Sequence, residues 1–204
     1  MRIIQALVVC LLLQGCISAN YVKPKTSIDQ KEGSILVMGF NAGNVPLISL
    51  LDGGFSPTIS LAKVAIENGV TTGSSLLWVV YSAKIIDDHV VIQLPEIDED
   101  EAFVLLSYQG NPLSNAIHFY CKGDEVDVFH TKKGDVLYIG DYSFKDFNYD
   151  YIKLSWTLKK TYKQKEMENY LSKTYPELLS SLKAYEPAQA VVNIGGANCK
   201  GQYY

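Results

Sequence analysis

The sequence predicts a mainly-β fold: an antiparallel β-sandwich-like domain over residues 34–204, with two short amphipathic helices after its sheets. Three observations predict it. Short apolar runs recur at spacings near ten residues from Ser34 onward. Turn-forming clusters separate them, among them Gly-Asn-Pro (110–112), Lys-Gly-Asp (122–124) and Lys-Lys-Gly-Asp (132–135). The apolar period then lengthens from two to helical after residue 160.

The strand candidates come in order at 35–40, 58–67, 76–83, 89–94, 102–108, 115–121, 126–130 and 135–140, with a last full strand at 151–158. The clearest alternation is in that last run. Ile152, Leu154, Trp156 and Leu158 share one face, and Tyr151, Lys153, Ser155 and Thr157 share the other, as in a strand with one wet side. Met167, Tyr170 and Leu171 then fall at helical spacing. Leu178, Leu179, Leu182 and Tyr185 repeat the pattern after Pro176. Thr174 with Glu177 reads as a capping box for the second helix, with Pro176 in its first turn. The helices are expected to cover an edge or an open face of the sheets, and 190–194 reads as a closing strand.

Ahead of this domain lies an apolar run from Ile3 to Leu13, interrupted only by Gln5 and preceded by Arg2. It is too short for a bilayer core of about 30 Å, and its order, positive then apolar then small, is that of a secretory signal peptide. Leu13-Gln14-Gly15-Cys16 resembles the lipobox of bacterial lipoproteins, although Gln14 stands where small or hydroxyl residues are commoner. The resemblance implies a cut before Cys16, diacylation of its thiol and acylation of the new amino terminus. Several acyl chains make a stable anchor where one does not. The alternatives are an ordinary cleaved signal peptide and a buried first strand. The organisation that follows is a signal peptide at 1–15, a lipidated terminus and flexible polar tether at 16–33, and the domain from 34 onward. Ile17 is not the Asp that retains such lipoproteins in an inner membrane, so the resemblance implies the outer membrane if the source is Gram-negative.

A second resemblance covers about residues 125–182. The stretch 128–144, an apolar strand, a Lys/Gly turn and an aliphatic-Tyr-aliphatic-Gly-Asp strand, is similar to the close of several uncharacterised bacterial envelope lipoproteins. It implies a β-sandwich-like fold and names no activity. Gly-Asp after an alternating strand is also ordinary turn chemistry.

The chain carries 18 Lys+Arg against 22 Asp+Glu, a formal charge of −4. Arg2 is its only arginine, and removal of the leader takes that away. Bidentate recognition of phosphate or guanine relies on arginine, so nucleic acid is not an expected partner. His89, His118 and His130 form no metal-binding repeat. His118 and Cys121 point to opposite faces of a strand, so neither a metal nor a cofactor is expected. No nucleophile motif is present: Thr-Thr-Gly-Ser-Ser reads as a turn, and Gly195-Gly196 lacks the rest of a phosphate loop. The acidic stretch Glu96–Glu101 lacks the spacing of a calcium loop and reads as a solvated turn.

Two features remain as site candidates. Tyr142, Phe144, Tyr149 and Tyr151, within the aromatic segment 142–156, form a glycan- or peptide-binding surface if exposed; otherwise they are core and cross-strand residues. Cys121 and Cys199 are the thiols left in the mature chain. In an oxidising compartment they form a disulfide, or else stay as a buried strand thiol and a tail thiol. The expected function is a lipid-anchored, non-enzymatic binding or scaffolding protein of the envelope, its partners the membrane and an envelope protein or glycan. An envelope hydrolase with a dispersed site is the alternative from another class.

Overall fold

The computed structural model describes residues 32–42, 57–72, 80–110, 117–120, 122–150 and 153–193. Residues 1–31, Cys16 among them, and Cys121, Tyr151 and Cys199 lie outside the described residues, and with them the expected signal peptide and most of the expected tether. Within them, the mainly-β expectation holds. The strands are β1 (Ser34–Asn41), β2 (Thr58–Glu67), β3 (Val70–Thr72), β4 (Val80–Lys84), β5 (His89–Leu94), β6 (Glu101–Gln109), β7 (Ile117–His118), β8 (Glu125–Phe129), β9 (Val136–Asp150), β10 (Lys153–Thr161), β11 (Leu182–Ala184) and β12 (Ala188–Val192). Two helices, α1 (Gln164–Thr174) and α2 (Pro176–Leu179), separate β10 from β11.

The first sheet runs β10-β9-β1-β5, with β11 beside the start of β9. Its central strand explains the unbroken apolar run at 35–40. Leu36, Met38 and Phe40 face one layer, Ile35 and Val37 face the other, and all five are essentially solvent-free. A strand covered on both faces has no wet side to alternate with. The outer face, built from Ile35, Val37, Val91, Val136 and Tyr138, lies under the helices through Met167, Leu171, Tyr175 and Leu178. The helices therefore cover an open sheet face.

The second sheet closes on itself. β2 pairs with β3, β3 with β12, β12 with β8, β8 with β6, and β6 returns to β2, while β4 and β7 extend β2 and β6. The ring is filled by Ala62, Val64, Ala102, Val104, Val126, Val128, Ala190 and Val192. Its outer wall meets the first sheet through Ile59, Leu61, Phe103, Leu105, Tyr108 and Phe129. From outside to inside the layers are helices, open sheet and barrel.

The expectation of purely antiparallel sheets is corrected. β1 pairs parallel with β9, β11 parallel with β9, and β12 parallel with β3. These partners are far apart in sequence, so no turn between them announces the pairing. The strand expected at 135–140 continues to Asp150. The second helix stops at Leu179, and Leu182 belongs to β11 instead. The Thr174–Glu177 capping box does not form: Thr174 Oγ1 donates back to the Tyr170 carbonyl at 2.6 Å, and Tyr175 sits at the N-cap without a side-chain bond. Pro176 does occupy the first helical turn. β3 was missed, although its signal is plain: Asn68 and Gly69 both take positive φ, 52° and 75°, in the two-residue turn that an Asn-Gly pair favours.

Candidate functional site: two carboxylates at the seams of the layers

The longest strand, β9, carries a bulge that organises the first seam. Val37 pairs with Tyr138, but Gly39 pairs with Asp141, so β1 advances by two residues while β9 advances by three. Gly140 takes up the extra residue at φ 107°, a conformation L side chains avoid. The bulge turns Tyr138 and Asp141 to the same outer face, and leaves Ile139 and Tyr142 in the inner core. Gly39 makes the matching allowance, since a Cβ there would overlap Asp141 Oδ1.

Tyr138 donates its hydroxyl to Asp141 Oδ2. The Lys163 backbone N–H, just before α1, donates to both the Tyr138 hydroxyl and Asp141 Oδ2, each at 2.8 Å. A carboxylate near a helix start also suits the helix dipole. Burial, and then the Asp141 hydrogen bond, push the Tyr138 phenol above its ordinary pKa. The Gly-Asp pair read as turn chemistry is thus the bulge that fastens the helices to the sheet.

The second seam joins the open sheet to the barrel. Asp127 lies between Val126 and Val128, which face the barrel interior, so its own side chain faces outward. Tyr142 donates to Asp127 Oδ2 at 3.0 Å and Lys160 Nζ to the same oxygen at 2.8 Å, while Gln189 Nε2 donates to Oδ1. The register explains this convergence. Gln189 is opposite Asp127 in the β8–β12 pair, and Lys160 is opposite Tyr142 in the β9–β10 pair. One cross-strand pair from each sheet meets the other. Lys160 Nζ also stands 5.5 Å and 5.1 Å from the ring centroids of Tyr142 and Tyr162, within cation–π range. Burial first, and then the Asp127 charge, raise the phenol pKa values of Tyr142 and Tyr120. With three donors on Asp127 and neutral phenols beside it, the cluster is a clasp between layers.

Of the aromatic candidates, Tyr142 is 2% exposed, and Phe144 packs against the inner core in edge contacts with Phe40 and Tyr108. Neither is on an open surface, because the bulge and the length of β9 carry this stretch across the inter-layer core. Tyr149 sits on β9 opposite Leu154. Tyr151, Cys16, Cys121 and Cys199 lie outside the described residues. The end of β12 lies beside the turn at 122–124: Gly123 N–H donates to the Val192 carbonyl at 2.6 Å, and Val192 N–H to the Asp124 carbonyl at 2.8 Å.

The histidines that are described as side chains do not converge. His89 stacks on Tyr170, 4.0 Å between centroids and 3° between planes. His130 is near the Glu101 carbonyl, with 3.0 Å from Nδ1. The acidic stretch is a connection from β5 to β6 with Glu96 and 98–100 exposed. Glu101, at the start of β6, bonds Lys63 at 2.6 Å. Among the described residues, no group of three or more His, Cys, Asp or Glu is placed to hold a metal ion, and no helix is long and apolar enough to cross a membrane. No protein-family model, curated protein or solved structure matches the chain.

Proposed function

We propose that this protein is a lipid-anchored component of the cell envelope, an outer-membrane lipoprotein, acting by binding or scaffolding. One observation carries the reading: Leu13-Gln14-Gly15-Cys16 closes an apolar run that is led by a positive charge and is too short to span a bilayer. The fold from Ser34 onward supports it. That part is mainly β, an open sheet laid on a barrel wall, whose carboxylates Asp127 and Asp141 are engaged in holding layers together. A glycan- or peptide-binding face in the aromatic segment loses Tyr142, which is buried, and Phe144, which packs against the core, and would have to rest on Tyr149 and Tyr151.

Metabolic labelling with a fatty-acid analogue tests the anchor. The wild type incorporates label and fractionates with membranes, whereas Cys16→Ser does neither. Equal labelling of the two proteins would end the lipoprotein reading.

A further inference from the structure

We propose that Asn68 is a modification site, deamidated to isoaspartate when the turn before β3 opens, and that the product keeps the barrel open at the seam of β3 and β12. Asn68-Gly69 is the only Asn-Gly step in the chain. The reaction needs no enzyme. The Gly69 backbone nitrogen loses its proton and bonds to the Asn68 side-chain carbonyl carbon, whose bond to nitrogen breaks to release ammonia. Water then opens the five-membered imide at one of its two carbonyls, leaving aspartate or isoaspartate. Glycine is the least hindered neighbour for this attack, having no side chain. Glu67, Asn68 and Gly69 are all exposed, and a Cβ on Gly69 would meet no atom within 4 Å.

The closed turn holds the reacting atoms apart. Asn68 and Gly69 take φ 52° and 75° between the paired residues Glu67 and Val70, as in a type I′ turn. The Asn68 ψ of such a turn is about 30°, which sets its Cβ nearly anti to the Gly69 nitrogen, whereas the imide ring needs the two eclipsed. The peptide must therefore rotate out of the turn, and β3 must first leave its partners. They are few: β3 makes three pairs with β2 and two with β12. The Gly69 carbonyl accepts the Val191 N–H at 2.8 Å, and Thr71 Oγ1 accepts the Asn193 N–H at 3.1 Å. Isoaspartate adds one carbon to the main chain, so a two-residue turn no longer sets Glu67 opposite Val70, and the Gly69 carbonyl is displaced from Val191. Opening admits the reaction, and its product blocks reclosure.

Ageing of the full-length protein at mildly alkaline pH tests both parts. Peptide mapping by mass spectrometry follows deamidation at each asparagine, beside a free peptide of residues 66–70. The expected result is conversion at Asn68 ahead of the other asparagines, several-fold slower than in the free peptide and rising to the peptide's rate in urea. The isoaspartyl fraction should then exchange the Val70 and Val191 amide hydrogens several-fold faster than unmodified protein. Asn68→Asp, which brings the same charge on an unaltered main chain, should not. A folded-state rate equal to the peptide's would overturn the gating by the turn. No conversion at Asn68 over many half-lives of the peptide would overturn the site. Isoaspartyl protein that exchanges Val191 no faster than Asn68→Asp would overturn the opened seam.

Discussion

Ala102 and Phe103 are neighbours on β6, yet they line two cores built on different rules. Ala102 points into the closed barrel, with Ala62, Val64, Val104, Val126, Val128, Ala190 and Val192. Phe103 points between the barrel wall and the open sheet, among Leu36, Met38, Phe40, Phe129 and Tyr142. A narrow ring of strands leaves room only for small side chains. Two faces that pack about 10 Å apart leave room for rings and long aliphatics. Rings accordingly gather in the inter-layer core: Phe40 stacks with Tyr108 at 5.5 Å, and Tyr81 meets Phe103 edge-on at 5.5 Å.

Substitution at these two neighbours breaks the comparison most severely. Phe103→Ala should cost about 3–5 kcal/mol through the cavity it leaves. Ala102→Leu should cost about 1–3 kcal/mol through overpacking of the ring. Urea unfolding measures both. A cost near zero for Ala102→Leu would mean that the barrel interior has spare volume.

Alkaline pH separates the cores more gently, because the buried phenols lie along the inter-layer side. The Tyr142 phenol is raised above its ordinary pKa of 10.0, mainly by burial. Its contribution to stability is therefore complete below about pH 10, where the unfolded phenol starts to ionise, and declines as pH rises toward the folded value. The decline is about 1.4 kcal/mol per pH unit for each such group. Tyr142→Phe should lose about 1 kcal/mol at neutral pH with its hydrogen bond to Asp127, and should fall less steeply above pH 10. A pH series of unfolding midpoints decides this, and parallel curves for the two proteins would remove Tyr142 from the account.

The smallest effect belongs to the surface of the same strand. Lys63 and Glu101 pair at 2.6 Å with side chains 30% and 22% exposed. Their mutual hydrogen bond lowers the Glu101 pKa and raises that of Lys63. The Glu101 contribution is present above its ordinary value of 4.5 and fades as pH falls through the lowered one. Solvent screening keeps it small, so Lys63→Met should change stability by no more than about 1 kcal/mol. Wild type and variant should converge at high salt; a salt-independent difference would point to lost packing of the lysine stem.

Much of the strand map was legible. The runs at 58–67 and 89–94 coincide with β2 and β5, because each pairs apolar or β-branched residues with clear breaks on both sides. β3 and β11 were too short for a periodicity to register, and in β3 only the Asn68-Gly69 turn speaks for the strand. The Gly140-Asp141 step was visible as a glycine before an acid. That it lies inside a strand, turning Tyr138 and Asp141 to one side, depends on a register with β1, about a hundred residues earlier. Asp127 and Gln189 gave no signal as single residues, since each is an ordinary polar position on the solvent phase of its own strand, whereas Lys160, in phase with Leu158 on the apolar face of β10, reads alone as the point where that alternation ends.

What the sequence by itself determined is most of the extended segments and the two helices with an apolar stripe on α1. These follow from local alternation, turn chemistry and side-chain size, which a short window contains. Tertiary structure alone decided the parallel pairing of β1 with β9, the closure of five strands into a ring, and the meeting of Tyr142 and Lys160 with Asp127 and Gln189. A strand displays which of its faces is apolar, but its two edges carry the same backbone donors and acceptors in every strand. The partner at each edge is chosen by which arrangement buries all the apolar faces at once, and that is a property of the whole chain.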